Sequence, residues 1–360
     1  MSVDRMKPFQ DLPPLPPNGV GTAEVYTAVI RASRALAKAD AAAELLPNPD
    51  ILIHSIPLLE AQASNEIENI VTTNDELFRA AHHVETPSPA TREALRYRQA
   101  LYVGSEAIRD RPLTTNTAKL VCSTITGVEM DIRRDVGTYI GNPVTKDRIY
   151  TPPEGQSVIL EHLTKWESFL HNDMSLDPLI KLALLHYQFE AIHPFSDGNG
   201  RTGRILNVLY LVHEGLLRQP ITYLSGYIVE HKDEYYRLLN NVTQKGDWIP
   251  WVLYMLNAVA ITSQWTSNLV YVIRDQIEET IGLLHEGGMP ARDLAYTLYE
   301  KPYLRYADLM VALNVSRPTA GKHAEKLVEL GVLERYKTGR SVLFVNTRYL
   351  NILFNAKLPQ

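Results

Sequence analysis

The stretch that decides how this chain is read is HPFSDGNGRTGR, residues 193–204. It gathers a histidine, an acid, an asparagine, three glycines and two arginines. Apolar segments of helical periodicity flank it: IKLALLHYQFEAI before and RILNVLYLVHEGL after. Three chemistries compete for it. Gly198-x-Gly200-x-x-Gly203 has the spacing of a dinucleotide fingerprint, but that fingerprint needs a preceding strand inside a βαβ unit, and helical sequence stands there. His186, Glu190, His193 and Asp197 would line up as metal ligands on a continuous helix. Pro194 disfavours helical geometry at His193 and the glycines beyond make a loop, so that stripe breaks at its third member. His186 and Glu190 then read as interhelical or capping groups.

The third chemistry is a phosphate cradle. Glycines let a loop bring its backbone N–H groups close to an anion, and a helix starting near Gly200 or Arg201 turns its positive end toward it. Arg201 and Arg204 sit three apart on the first turn, each able to grip phosphate oxygens. Asp197 is placed to hold a divalent cation bridging phosphates. His193, at the loop's entry, is free to take a proton near neutral pH. An incidental helix–loop–helix turn would account for the glycines and an aspartate. It would not account for two arginines, an asparagine and a histidine in one tight loop.

Outward from this loop the chain reads as mainly helical. At 360 residues it exceeds one small core, with 45 % apolar and 21 % charged residues as in ordinary globular proteins. A net charge of −5 favours neither a nucleic-acid coat protein nor a membrane-surface protein. One cysteine, Cys122, excludes an intrachain disulfide and reads as a small core residue in a reduced, cytoplasmic setting. No signal with an apolar core and no bilayer-length apolar run is seen, so no membrane partner is expected. The arm KPFQDLPPLPPNG, residues 7–19, carries five prolines and is expected to lie extended over a surface. Helices are expected over 22–38, from near Asp50 to near Asn69 with Pro57 disturbing the first half, and over 91–109, 114–126, 157–171 and 177–192. After the loop come RILNVLYLVHEGL, DEYYRLLNNV, and a long helix from near Trp248 into the 280s. GTYIGNPVTKDRIYTPPEG, residues 137–155, reads instead as a short hairpin about a Gly-Asn-Pro turn.

The tail has another texture. Three short helices, ARDLAYTLYE, RYADLMVALNV and SRPTAGKHAEKLVELGVL, precede ERYKTGRSVLFVNTRYL, read as a two-stranded hairpin with Thr-Gly at its tip. Residues 290–348 hold ten Lys/Arg against six Asp/Glu, so the chain's charge is asymmetric. This segment resembles a winged helix. Arg317, Lys322, Lys326, Lys337 and Arg340 are then candidates to meet DNA phosphates, although winged helices also pack on proteins.

The loop itself resembles the signature of the Fic family, H-P-F-x-[DE]-G-N-G-R-x-x-R, with each fixed position filled, and the likeness runs over roughly residues 110–260. The resemblance implies a helical Fic core that transfers AMP from ATP to a Tyr, Thr or Ser hydroxyl of a protein, itself included. By position, His193 is similar to the general base, and Phe195 to a buried anchor. Asp197 is similar to the Mg²⁺ ligand. Gly198, Asn199 and Gly200 resemble the anion nest, with the Asn199 side chain reaching phosphate. Arg201 and Arg204 resemble the β- and γ-phosphate ligands. The 137–155 hairpin resembles the flap that docks a target by strand addition through Ile140, Ile149 and Tyr150, or else simply caps the bundle. Tyr223, Tyr227 and Tyr235 read as core packing before base contact.

SNEIEN, residues 64–69, is similar to the family's inhibitory motif, in which a glutamate pairs with the second arginine of the signature. Here that would be Glu68, with Ser64 one turn before it, holding Arg204. Two other functions compete: a DNA-binding regulator that uses the Fic fold as a nucleotide sensor, and a hydrolase that removes AMP from modified proteins. A homodimer fits the family. The expected organisation is a Pro-rich arm at 1–20, a helical region with the inhibitory helix at 21–110, the catalytic core with a long linker helix at 111–288, and a winged-helix domain at 289–360.

Overall fold

The computed structural model describes residues 3–141, 147–338 and 341–359. Helix α1 (Ala23–Ala43) starts where the Thr22 side chain accepts from Val25 N. Helix α2 (Asp50–Ile67) keeps Pro57 inside it. The lost hydrogen bond is offset by burial on nearly every side, from Ile51 and Leu52 through Leu58 and Leu59 to Ile67. Helix α3 (Asn74–Ala81) is an addition to the helices expected. Eight residues are too few to show a period, and its signal is the capping box between Thr73 and Glu76. Helices α4 (Pro89–Ala107) and α5 (Thr115–Thr126) follow, α5 closing on Gly127 at φ 76°.

Strands β1 (Ile140–Gly141) and β2 (Arg148–Tyr150) pair antiparallel, as expected for a hairpin. Asn142 and Pro143 of its turn lie outside the described residues. Helices α6 (Gln156–Asn172), α7 (Pro178–Ile192) and α8 (Asn199–His213) form the centre. Apolar on all sides, α7 is buried along almost its whole length. Then come α9 (Leu224–Glu230), α10 (Lys232–Lys245) and α11 (Trp248–Glu286), the last 39 residues long and packed along α1.

The tail comprises α12 (Arg292–Glu300), β3 (Tyr303–Leu304), α13 (Tyr306–Leu313), α14 (Arg317–Glu329), β4 (Glu334–Thr338), β5 (Ser341–Val345) and α15 (Thr347–Asn355). Its sheet has the order β3-β5-β4, antiparallel throughout. The expected two-stranded hairpin therefore gains a third strand and ends early. Asn346 Oδ1 accepts from Tyr349 N and turns the last residues, expected as strand, into α15. Tyr349, buried on α15, donates its hydroxyl to Ser55 Oγ at 3.1 Å and so ties the tail to α2. Gly339 and Arg340, at the expected wing tip, lie outside the described residues. Among the described residues no helix is long and apolar enough to cross a membrane.

Candidate active site

Helix α7 stops at His193, which takes a left-handed conformation at φ 50° while its N–H still reaches Phe189 O. Proline at 194 forbids a further helical turn, so the sequence explains the break locally. Buried Phe195 packs near Phe189, and its backbone is clasped by one side chain: Phe195 N donates to Asn199 Oδ1 and Asn199 Nδ2 donates to Phe195 O, each 2.8 Å. That corrects the role expected of Asn199. Its amide is buried and engaged in holding the loop, which leaves its backbone, not its side chain, to face an anion. Gly198 caps α8 at φ 76°, a left-handed position that favours glycine, with Cys122 Sγ and Thr126 close behind it. Buried Cys122 donates Sγ–H to Asp197 O at 3.3 Å, and burial pushes its thiol up to about 11, as suits an inert core residue.

The two arginines lie on the first turns of α8 and both are buried, yet each meets a carboxylate from a distant helix. Arg204 donates Nε to Ser64 Oγ at 2.8 Å, and its Nη2 to Ser64 O at 3.0 Å and Glu68 Oε1 at 2.8 Å. Arg201 donates Nη1 to Glu93 Oε2 on α4 at 2.8 Å and lies 3.8 Å from Asp197 Oδ1. Gly200 sits under the Glu68 carboxylate, where a Cβ would collide with Oε1. The 64–69 segment and the loop, more than 120 residues apart in sequence, are thus one site. The close of α2 places Glu68: Asn69 follows it at φ 61° and Ile70 N returns to Asn65 O.

Charges in the site are mutually dependent. Burial would raise the Glu68 carboxyl, but the Arg204 charge and hydrogen bond, with Arg201 and His193, hold it below the usual range. Burial opposes the Arg204 charge, and Glu68 together with Tyr235, Tyr97 and Glu190 outweighs it. Burial, then the nearby Arg133, brings His193 down to about 4, so a neutral imidazole stands at the loop's entry at neutral pH. Burial lifts Glu190 to about 7 beneath Gly203.

Several of these groups carried no sequence signal. Buried Arg133 donates Nε to His193 O at 2.8 Å and Nη2 to Pro153 O at 2.5 Å, joining the loop's entry to the end of the hairpin. Glu93 and Arg133 lie 108 and 60 residues from their partners, with no motif around them. Fully buried Glu60 accepts from Tyr97 and Ser225, and burial raises its carboxyl.

On the hairpin, Ile149 is exposed and Ile140 half-buried. Tyr150 turns inward and donates its hydroxyl to Ala191 O at 2.8 Å, so its side chain anchors the hairpin on α7. The N-terminal arm packs, as expected, alongside: Phe9 N donates to Thr151 O, and its ring meets Tyr150 edge-on. Tyr235 lies 2.9 Å from His186 Nε2 in an aromatic core with Trp251, Tyr223 packs on Trp265 and Tyr227 on His231. These contacts agree with core packing. No group of three or more His, Cys, Asp or Glu side chains among the described residues could hold a metal, which removes the His186 stripe. Asp197 turns its carboxylate largely to solvent, its side chain 74 % exposed, with Oδ1 accepting from Gly198 N at 2.6 Å. A lone hard oxygen ligand facing solvent fits Mg²⁺, which keeps waters and is held by one carboxylate with substrate phosphates.

Comparison with known proteins agrees with this geometry. The family described as "Fic/DOC family" matches residues 114–211, "Fic/DOC family N-terminal" matches 26–106, and "Protein adenylyltransferase SoFic-like, C-terminal domain" matches 287–349. The "Protein adenylyltransferase fic-1" of Caenorhabditis briggsae is 36 % identical over 105 residues, 29 % of this chain and 19 % of that protein. The "Protein adenylyltransferase Fic" of Aedes aegypti is 30 % identical over 142 residues, 38 % of this chain and 25 % of that protein. The match thus spans about a fifth to a quarter of these relatives. The crystal structure of a Fic family protein from Desulfovibrio desulfuricans G20 shares the fold, with a TM-score of 0.54 at 20 % identity over 90 % of this chain and 96 % of that one. From its N-terminal helices through the clasped loop to its tail, the chain belongs to the Fic family.

Proposed function

We propose that this chain is a self-inhibited protein adenylyltransferase that moves AMP from ATP to a Tyr, Thr or Ser hydroxyl of a protein, itself included. The observation that carries the proposal is the joint hold of Ser64 and Glu68 on Arg204, beside His193 and Arg201. In this reading the hydroxyl oxygen attacks the α-phosphorus, the bond from that phosphorus to the bridging oxygen breaks, and pyrophosphate leaves. The hydroxyl proton passes to His193, neutral beforehand. Triphosphate charge nearby raises the affinity of that imidazole for a proton from its low starting value. Arg201, Arg204 and the N-terminus of α8 stabilise charge on the phosphates. Mg²⁺, held by Asp197, supplies further charge neutralisation when bound.

The brake is electrostatic competition. While Glu68 occupies Arg204, the guanidinium cannot meet a γ-phosphate, and ATP binds without its α-phosphate aligned for attack. Incubation of wild type, Glu68→Gly and His193→Ala with labelled ATP and Mg²⁺ tests the reading. Protein-bound AMP is expected to rise in Glu68→Gly and vanish in His193→Ala. No label in any variant would favour a nucleotide-sensing regulator.

For the tail, the three-stranded sheet beside α14 favours a winged-helix reading, with exposed Arg317, Lys322 and Lys337 toward DNA. A gel shift at several salt concentrations, with Lys322→Ala/Lys337→Ala as comparison, tests it. Equal shifts for both chains refute it. A cytoplasmic location, a homodimer and the four-part division at residues 20, 110 and 288 belong to the same proposal.

A further inference from the structure

Away from the 193–204 loop, and sharing no lining residue with it, lies a cleft of about 1080 Å³. Its walls are the first turns of α2, α4, the segment after α8 and the end of α12. His54, His82, Arg98 and Lys301 line it. These side chains are close enough for Arg98, His54 and Lys301 each to act on His82. Among the described residues, none of the four makes a hydrogen bond or ion pair through its side chain.

The carboxylates of the cleft do not answer them. Glu106 pairs with Arg109 at 3.0 Å, Glu300 accepts from Asn48 Nδ2 at 3.1 Å, and Asp50 sits on the opening turn of α2. Burial brings His82 down to about 4, and Arg98, His54, Lys301 and His83 all push the same way. Burial also lowers Arg98, and no carboxylate raises it. A half-withdrawn cation without a counter-charge is unfavourable, and a ligand anion would relieve it.

We infer that this cleft binds a phosphate-bearing small molecule of nucleotide size. A guanidinium fork, an ammonium point charge and imidazole N–H donors suit the several oxygens of a phosphoryl group. The volume exceeds what a bare phosphate needs and is that of a small-molecule pocket. The exposed Tyr102 ring on the wall offers a flat apolar surface to the rest of the ligand.

Equilibrium dialysis with labelled inorganic pyrophosphate and with ADP tests the site, in an Arg204→Ala background that removes the loop's own grip. The parent is expected to bind both, with ADP at least as tight as pyrophosphate. Arg98→Ala/Lys301→Ala should weaken both by at least about tenfold, the loss of one charge-assisted contact or more. His54→Ala/Lys301→Ala, on two exposed side chains, should weaken them too and guards against a folding artefact. The inference is overturned if the parent binds neither probe, if neither double variant binds more weakly, or if citrate binds as tightly as pyrophosphate. It also falls if pyrophosphate binds without ADP. No turnover is read, so the outcome does not depend on whether AMP transfer occurs.

Discussion

Replacing Glu68 by glycine removes one of three hydrogen bonds to Arg204 and the only carboxylate paired with that guanidinium among the described residues. The end of α2 should survive, because the left-handed turn is made by Asn69 and not by Glu68. A hydrogen bond to a charged group contributes about 1.5–3 kcal/mol. The Glu68 side chain is 36 % exposed, so solvent screening favours the lower half of that range, about 1.5–2 kcal/mol. If Arg204 must be free before ATP aligns, its free population rises roughly 10- to 30-fold. Ser64→Ala removes only the bond from Nε to an uncharged hydroxyl and leaves the paired carboxylate in place, so its effect should be smaller. Incorporation of labelled AMP should therefore rank Glu68→Gly above Ser64→Ala above wild type. A flat response in Glu68→Gly, or a larger one in Ser64→Ala, would refute the assignment of Glu68 as the dominant contact.

Three further outcomes are expected. The folded Glu68 carboxyl titrates below its unfolded value, so its pairing stabilises the fold above about pH 4.5 and the contribution is lost as pH falls through the folded pKa. The Tm gap between wild type and Glu68→Gln should thus be open at pH 7 and close only as pH falls through the depressed folded pKa, below the usual carboxylate range. Arg133→Ala removes a charge that lowers His193 and two anchors of the loop's entry. The imidazole pKa, followed by NMR, should move up from about 4, and AMP incorporation in a Glu68→Gly background should fall. If Glu93 positions the Arg201 guanidinium for phosphate and does not compete with it, Glu93→Ala loosens that group, so in that same background KM for ATP should rise by about fivefold with kcat less affected, and a fall in KM would instead make Glu93 a second brake.

Much of this protein was legible one short segment at a time. Pro194 after an apolar helix, glycine at 198 and two arginines three apart announce a break, a left-handed cap and an anion-facing first turn. Those effects are local: each depends on the steric or hydrogen-bonding needs of a few neighbouring residues. The same locality explains the misses. Asn346 as a cap read as strand, because the β-rich run before it hid the signal, and the eight residues of α3 were too few to display a period. Resemblance to a family motif, and not spacing, pointed to Glu68.

What only the tertiary structure decided is who meets whom. Arg204 reaches back 136 residues to Glu68, Arg201 reaches 108 to Glu93, and Arg133 locks a carbonyl 60 residues away. Asn199 looked free for phosphate until the fold closed its amide on Phe195. A helix period states which face is buried but not which helix will bury it. Pairings across such spans are set when apolar faces from α2, α4, α7 and α8 pack together and leave Arg201 and Arg204 each a carboxylate within reach.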